Sequence, residues 1–191
     1  MQRELVLTDE DKAILGENDT VTVSLQHRRA LLDALRTSGV FITCGKTTPN
    51  IMSSHWATIG LFWNRDVFIL PVRRSKMSHE IIDQTKSFAV SIPIKDMREQ
   101  IIQCDHLSGY NVNKFEELHL HPARARKIPT YTVSECGLFF ECKVIYSAND
   151  MSPNQLDSRL KEEMYESNDF HTIYFGQIIN EYEAESFDAK K

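Results

Sequence analysis

The sequence predicts a mainly β domain with α-helices at its periphery, on three observations. Short runs of β-branched and aromatic residues closed by turn residues outnumber the stretches with helical spacing. No strand-loop-helix carries a G-x-G-x-x-G or G-x-x-x-x-G-K-S/T pattern, which argues against a doubly wound nucleotide fold. No internal repeat, low-complexity tract or linker-like change of composition interrupts the chain, so one compact unit is expected.

The elements follow in order. A polar leader, residues 1–20, precedes a domain over 21–183 and a polar tail over 184–191. Leu25, Leu31, Leu32 and Leu35 stand near helical spacing and Gly39 follows as a stop, predicting an amphipathic helix over 25–35. The runs 40–44, 52–62 and 67–72 read as three successive strands, with Asn64, Arg65 and Asp66 as a turn, and suggest an antiparallel meander. Ser78 reads as the N-cap of a helix through Thr85, and 88–92 as a fourth strand ending at Pro93. A helix is expected over 94–104. Residues 105–131 read as a long loop with one helical turn near 112–118, and loops of that length usually carry function. The run 137–146 is a strong strand, 153–165 reads as a helix with Pro153 in its first turn, and 172–182 as the closing strand.

The 191 residues are 41% apolar and 26% charged, which suits one globular domain. A net charge of -5 lacks the basic excess of a nucleic-acid binder, so no nucleic-acid partner is expected. The first residues mix charges and no run is apolar enough to span a bilayer, so the chain reads as cytoplasmic, without a membrane partner. Cys44, Cys104, Cys136 and Cys142 form no C-x-x-C pair and read as free thiols. His119 and His121 alternate as on one side of a strand, but no partner completes a ligand set, and no metal site is assigned. Trp56 and Trp63 read as core candidates.

Two segments bear chemistry. Residues 48–56 concentrate hydroxyls, an amide, an imidazole and an indole after Pro49, which fits either a binding edge or a turn into a half-exposed strand. Downstream, Arg73, Arg74 and Lys76 surround the hydroxyls of Ser75 and Ser78 where a strand passes into a helix start. Unpaired N–H groups and the positive end of the helix dipole make that a place for a phosphate, or a solvated basic turn.

The order Asn50-x-Met-Ser-Ser-His-Trp56, Gly60-x-x-Trp-Asn64, Val72-Arg-Arg-Ser-Lys-Met-Ser78, Phe88-x-Val-Ser-Ile-Pro93, Ser108-Gly109 with Lys114-Phe115, Glu135-Cys-Gly-Leu-x-x-Glu-Cys142 and His171-Thr-x-Tyr-x-Gly176 resembles the flavin reductase-like family, in its flavoredoxin branch. The resemblance spans roughly residues 31–182. It implies an antiparallel FMN-binding split barrel, a β-barrel that forms a homodimer with the flavin near the interface. On that model Asn50, Met52, Ser53, Ser54, His55 and Trp56 border the flavin ring, Arg73, Ser75, Lys76 and Ser78 surround its phosphate, and Ser108, Gly109 and Lys114 close the site. His171 stands where relatives carry a histidine near flavin and nicotinamide and is the catalytic candidate. The activity implied is hydride transfer from NADH or NADPH to flavin. The alternatives are a flavoredoxin-like electron carrier that holds FMN and serves a protein acceptor, and a scaffold without flavin. The chain departs from the pattern at His55, at Tyr110 and at Leu70-Pro71, where a proline favours an edge or a bulge.

Overall fold

The computed structural model describes residues 21–149 and 151–184. The polar leader and all but the first residue of the tail lie outside the described residues. Among the described residues nine strands run in chain order: β1 (Val40–Cys44), β2 (Asn50–Ser54), β3 (Thr58–Phe62), β4 (Arg65–Arg73), β5 (Ser87–Ile92), β6 (Pro122–Arg124), β7 (Tyr131–Val133), β8 (Leu138–Ala148) and β9 (His171–Glu183). Five helices accompany them among the same described residues: α1 (Leu25–Thr37), α2 (Met77–Thr85), α3 (Arg98–His106), α4 (Lys114–Glu117) and α5 (Ser158–Met164). None of these helices is long and apolar enough to cross a membrane.

Seven strands form one antiparallel sheet in the order β2-β1-β5-β8-β9-β4-β3, and β6 pairs with β7 beside it. The expected barrel is not closed, because no ladder joins the margins β2 and β3 among the described residues. The expected meander is also corrected. Residues 52–62 do not make one strand, since the chain leaves β2 at Ser54 and bends over 55–57 before β3. β2 pairs with β1 and β3 with β4, at opposite ends of the sheet. Pro71 is tolerated in β4 because β3 reaches only to Ile69, leaving the proline on a stretch without a partner on that side.

The sheet is covered on both faces, which explains why every residue of β1 is buried. Val40, Ile42 and Cys44 point into a core with Phe68, Leu70, Phe88, Phe140 and Tyr174. Phe41, between them, packs on the other face with Ile51, Ile101, Phe115 and Phe139. Helix α1 starts at Ser24, whose side chain accepts from the His27 N–H, and buries Leu31, Ala34 and Leu35. Leu25 is 84% exposed and Leu32 also faces outward, so the apolar stripe is narrower than the leucine spacing suggests. Gly39, at φ +84°, turns the chain out of the helix.

Other expectations shift in detail. The N-cap of α2 is Lys76, and Ser78 lies inside the helix. Helix α3 starts later than expected, at Arg98, and α5 is only the last part of 153–165. Residues 105–131 hold α4, β6 and the start of β7, elements too short to show a period. His119 sits in a turn at φ +52°, not on a strand, and His121 Nδ1 lies 2.6 Å from the Glu135 carboxylate. Trp56 and Trp63 are 42% and 54% exposed, which corrects their reading as core. All four cysteines are buried free thiols.

Candidate functional site

β2 and the end of β4 lie far apart in the ladder, yet the curl of the sheet brings them to the same cleft. One cavity, of about 280 Å³, lies between Met52, Ser53, Ser54, His55 and Trp56 on one side and Pro71, Arg73 and His171 on the other. A second, of about 230 Å³, lies beside it against the start of α2, and its walls include Asn50, Met52, Ser75, Ser78, Ser108, Gly109 and Lys114. Lys76 and Asp105 border both, with Lys76 Nζ 3.1 Å from Asp105 Oδ1, so an ion pair forms the ridge between the two cavities. Every residue that the resemblance assigns to the flavin site lines one cavity or the other, whereas Arg74, the third cation of the turn, is in neither lining. Arg73 borders the first, Ser75 and Ser78 the second.

The polar groups are already engaged with one another. Asn50 Nδ2 donates to Ser78 Oγ at 2.8 Å, tying the sheet margin to α2. Ser54 Oγ accepts from the Trp56 N–H at 3.3 Å and lies 2.9 Å from the Trp56 carbonyl, which shapes the bend after β2. Arg73 donates to the carbonyls of Asp169 and Met164, at 2.8 and 3.1 Å, and its guanidinium lies 5.4 Å from the centre of the Tyr165 ring. Arg74 donates to the Asn149 carbonyl. Ser75 donates to the Asp169 carboxylate through both its N–H and its hydroxyl. Lys114 is buried and donates to the Cys104 carbonyl at 2.7 Å. Burial of its ammonium holds its pKa below the ordinary lysine range.

His171 begins β9 opposite Arg73 and is buried. Its Nδ1 lies 2.8 Å from Tyr165 Oη, and its ring packs at 5.4 Å from Trp56. Tyr165 stacks on Phe170 at 5.0 Å, so the phenol that meets the imidazole is held on its other side. Burial, and then the nearby Arg73 charge, push the His171 pKa down to about 4, with Asp169 opposing. The imidazole is neutral at pH 7, where it offers a hydrogen bond and not a mobile proton.

The sequence missed Asp105, Tyr165 and Asp169. Asp105 and Asp169 pair with cradle residues 29 and 94 positions away, a separation that leaves no spacing signal. A concentration of three cations in four residues was the one available hint that carboxylates must lie near. The resulting cleft has one end where Met52, Trp56 and Pro71 stand among polar groups, and a cationic, hydroxyl-lined end at a helix start. Such a shape suits an elongated ligand that is planar at one end and anionic at the other.

Comparison with known proteins places the fold and the family. The family model described as "Flavin reductase like domain" matches residues 40–189. An uncharacterized protein of Archaeoglobus fulgidus is 23% identical over 146 residues, 76% of this chain and 72% of the relative. Among solved structures, the flavoredoxin of Desulfovibrio vulgaris superposes with a TM-score of 0.62 at 22% identity, covering 78% of this chain and 71% of that one. An NADH:FAD oxidoreductase of Streptomyces globisporus gives 0.59 at 14% identity, covering 87% of this chain and 89% of that one.

Proposed function

The chain belongs to the flavin reductase-like family of flavin-binding oxidoreductases, and from that premise we propose that it binds FMN in the cleft and transfers hydride from NADH or NADPH to the flavin. One observation carries the reading. The margin β2, the end of β4 and the start of α2 come from separate parts of the chain, yet converge on two adjoining cavities, one offering Met52, Trp56 and Pro71 and the other cations and hydroxyls at a helix start.

The residues fit the group. Met52, Trp56 and Pro71 offer a surface for a planar ring, with the Ser53 and Ser54 groups at its polar edge. Lys76, Ser78, Ser108 and Lys114 offer cations and hydroxyls to a phosphate, next to the N–H groups that open α2. Gly109 lets the backbone close on the site, since a Cβ there would lie 2.6 Å from Asn50 Oδ1.

FMN, when bound, supplies the hydride-accepting and electron-releasing centre. The protein binds, orients and shields. Lys76 and the helix start hold the phosphate away from the reacting end, which adds affinity without touching the chemistry. His171, neutral and fixed by Tyr165, borders the place of the nicotinamide and positions it by hydrogen bonding. Leu61, Phe62, Trp63 and Tyr146 are exposed, and Phe62, Trp63 and Tyr146 cluster with Phe175, an apolar patch that supports a homodimer.

The likeness to a flavoredoxin supports a second reading, an electron carrier that keeps its FMN and serves a protein acceptor. An absorbance titration of the purified protein with FMN, followed by anaerobic NADH and NADPH, tests both. Bound flavin that bleaches on addition of nicotinamide, with steady turnover on excess FMN, is the reductase outcome. Bound flavin that nicotinamide does not reduce favours the carrier, and no flavin binding rejects both.

A further inference from the structure

Lys46, Arg124, Arg126 and Lys127 gather on a surface that the flavin reading does not use. All four are exposed, and Arg124 donates from Nη1 to the Lys46 carbonyl at 2.8 Å, which joins the turn after β1 to the loop between β6 and β7. None of them pairs with a carboxylate among the described residues, whereas Arg28, Arg98 and Arg159 each do. The neighbouring carboxylates are engaged elsewhere. Glu141 is fully buried and accepts the N–H groups of Arg126 and Lys127, both at 2.6 Å, and Glu135 faces His121 at 2.6 Å. Four cations thus stand together without ion-pair partners on a chain whose net charge is -5.

The cations are held in place. The Arg124 guanidinium lies 4.2 Å from the centre of the Tyr131 ring, and that of Arg126 lies 3.8 Å from the centre of the Tyr182 ring. Pro122 and Pro129 bracket the loop, and Glu141 ties down its backbone at two of the residues that carry charge. A guanidinium stacked through its face still presents N–H groups at its edge, and that planar edge matches a carboxylate through two parallel hydrogen bonds. Fixing the fork in advance reduces the side-chain entropy lost on binding.

The surroundings select the occupant. The rings of Tyr131 and Tyr182 lie under the guanidiniums, so they offer no open face to a nucleic-acid base, and the net negative charge opposes a long phosphate chain. Ile128, the large apolar side chain of the loop, is buried and not available to a lipid surface. Neither cavity of the cleft takes Arg124, Arg126 or Lys127 into its walls, so these cations are not part of the flavin site. Lys46 nevertheless stands four residues before Asn50, a wall of the phosphate end, so the two are at most about 14 Å apart. We propose that this patch docks an acidic surface of a partner protein beside the flavin cleft, with carboxylates seated on Arg124 and Arg126. The proposal rests on the carrier reading for the partner's role as acceptor, and on the patch alone for its binding.

The test titrates the full chain with a short fluorescein-labelled poly-L-glutamate, followed by anisotropy at low and at physiological salt. Wild type binds it, and the affinity falls with salt. Arg124→Gln with Arg126→Gln weakens binding roughly tenfold, and Lys46→Gln with Lys127→Gln lowers it without removing either ring contact. Arg29→Gln with Arg159→Gln, which removes exposed cations elsewhere, leaves it unchanged. Circular dichroism reports the fold of each variant. Should the arginine pair disturb the fold, the lysine pair decides, and a wild-type affinity in it overturns the inference. The inference also falls if wild type does not bind poly-L-glutamate, or if a folded arginine pair binds it as wild type does. It falls equally if the Arg29 and Arg159 pair loses as much, or if a DNA oligonucleotide or phosphatidylserine vesicles bind more tightly and lose with the same substitutions. Wild type that binds poly-L-glutamate but not FMN keeps the docking surface and strikes the flavin reading instead.

Discussion

The carboxylate of Asp169 receives both donors of Ser75, the hydroxyl at 2.6 Å and the backbone N–H at 3.2 Å. A protein anion thus holds two of the groups that the sequence assigns to an incoming phosphate. Asp169→Asn removes a negative charge from beside the site proposed for that phosphate. A unit charge at about 4 Å in water is worth ~1 kcal/mol, so FMN should bind about fivefold tighter, with riboflavin unchanged. Isothermal titration with both ligands measures this, and equal effects on the two would detach Asp169 from the phosphate.

Lys76 touches both cavities and pairs with Asp105 at 3.1 Å. Lys76→Ala should weaken FMN by about tenfold and riboflavin hardly at all, because only FMN carries the anion that the ammonium meets. Equal loss for both ligands would move the phosphate elsewhere. Lys76 is preferable to Arg73 for this test, since the Arg73 guanidinium also holds the carbonyls of Met164 and Asp169.

His171 carries two expectations in one variant. His171→Gln should raise the KM for NADH and leave FMN affinity intact, and steady-state kinetics beside a flavin titration read the two apart. Its folded pKa, about 4, lies below the ordinary 6.5, so its contribution to stability is complete above pH 6.5 and is lost as pH falls towards 4. The loss is on the order of 3 kcal/mol. Urea unfolding of wild type against variant should diverge across that window, and parallel curves would show that folding does not lower the imidazole's pKa.

His27 has the opposite sign. Burial disfavours its charged ring, but the hydrogen bonds and charges of Glu183 and Glu181 prevail, and its pKa is raised. Its nitrogens lie 2.7 Å from Glu183 and 3.0 Å from Glu181, clasping α1 to β9. The clasp is fully present below pH 6.5 and is lost as pH rises through the raised folded value. His27→Gln should cost about 1.5–3 kcal/mol at pH 6 and much less at pH 9. A Tm deficit that does not change with pH would contradict the charged clasp.

Gly176, the last residue of the His171-Thr-x-Tyr-x-Gly176 run, has a packing explanation. A Cβ there would lie 2.6 Å from Phe88 Cζ and 2.9 Å from Cys142 Cβ, in the core. Gly176→Ala should destabilise by roughly 1–3 kcal/mol through overpacking. Pairing it with Phe88→Leu should recover part of the loss in chemical denaturation, because the smaller side chain vacates the contact.

The strands β1, β5 and β8 were legible because each is rich in β-branched and aromatic residues, and β1 and β5 are buried on both faces of the sheet. The break between β2 and β3 was not, since Ser54, His55, Trp56 and Ala57 contain no glycine or proline and the bend is made by a serine side chain bonded to the backbone. The pair β6 and β7 was missed because three-residue strands show no alternation. At the site, cations and hydroxyls stood together in the sequence and could be read as a unit. Their carboxylate partners arrive from positions 29 and 94 residues away that only the folded chain brings near, and Tyr165, six residues before His171, meets it across a turn that carries no periodic signal.

The two unjoined margins of the main sheet give the cleft a thermodynamic role as well as a chemical one. A molecule seated between the margin β2 and the end of β4 touches two strands that no ladder joins, and so acts as a clamp across the fold. Occupancy and resistance to heat then rise together, by about 2.7 kcal/mol when the free ligand stands at a hundred times its dissociation constant.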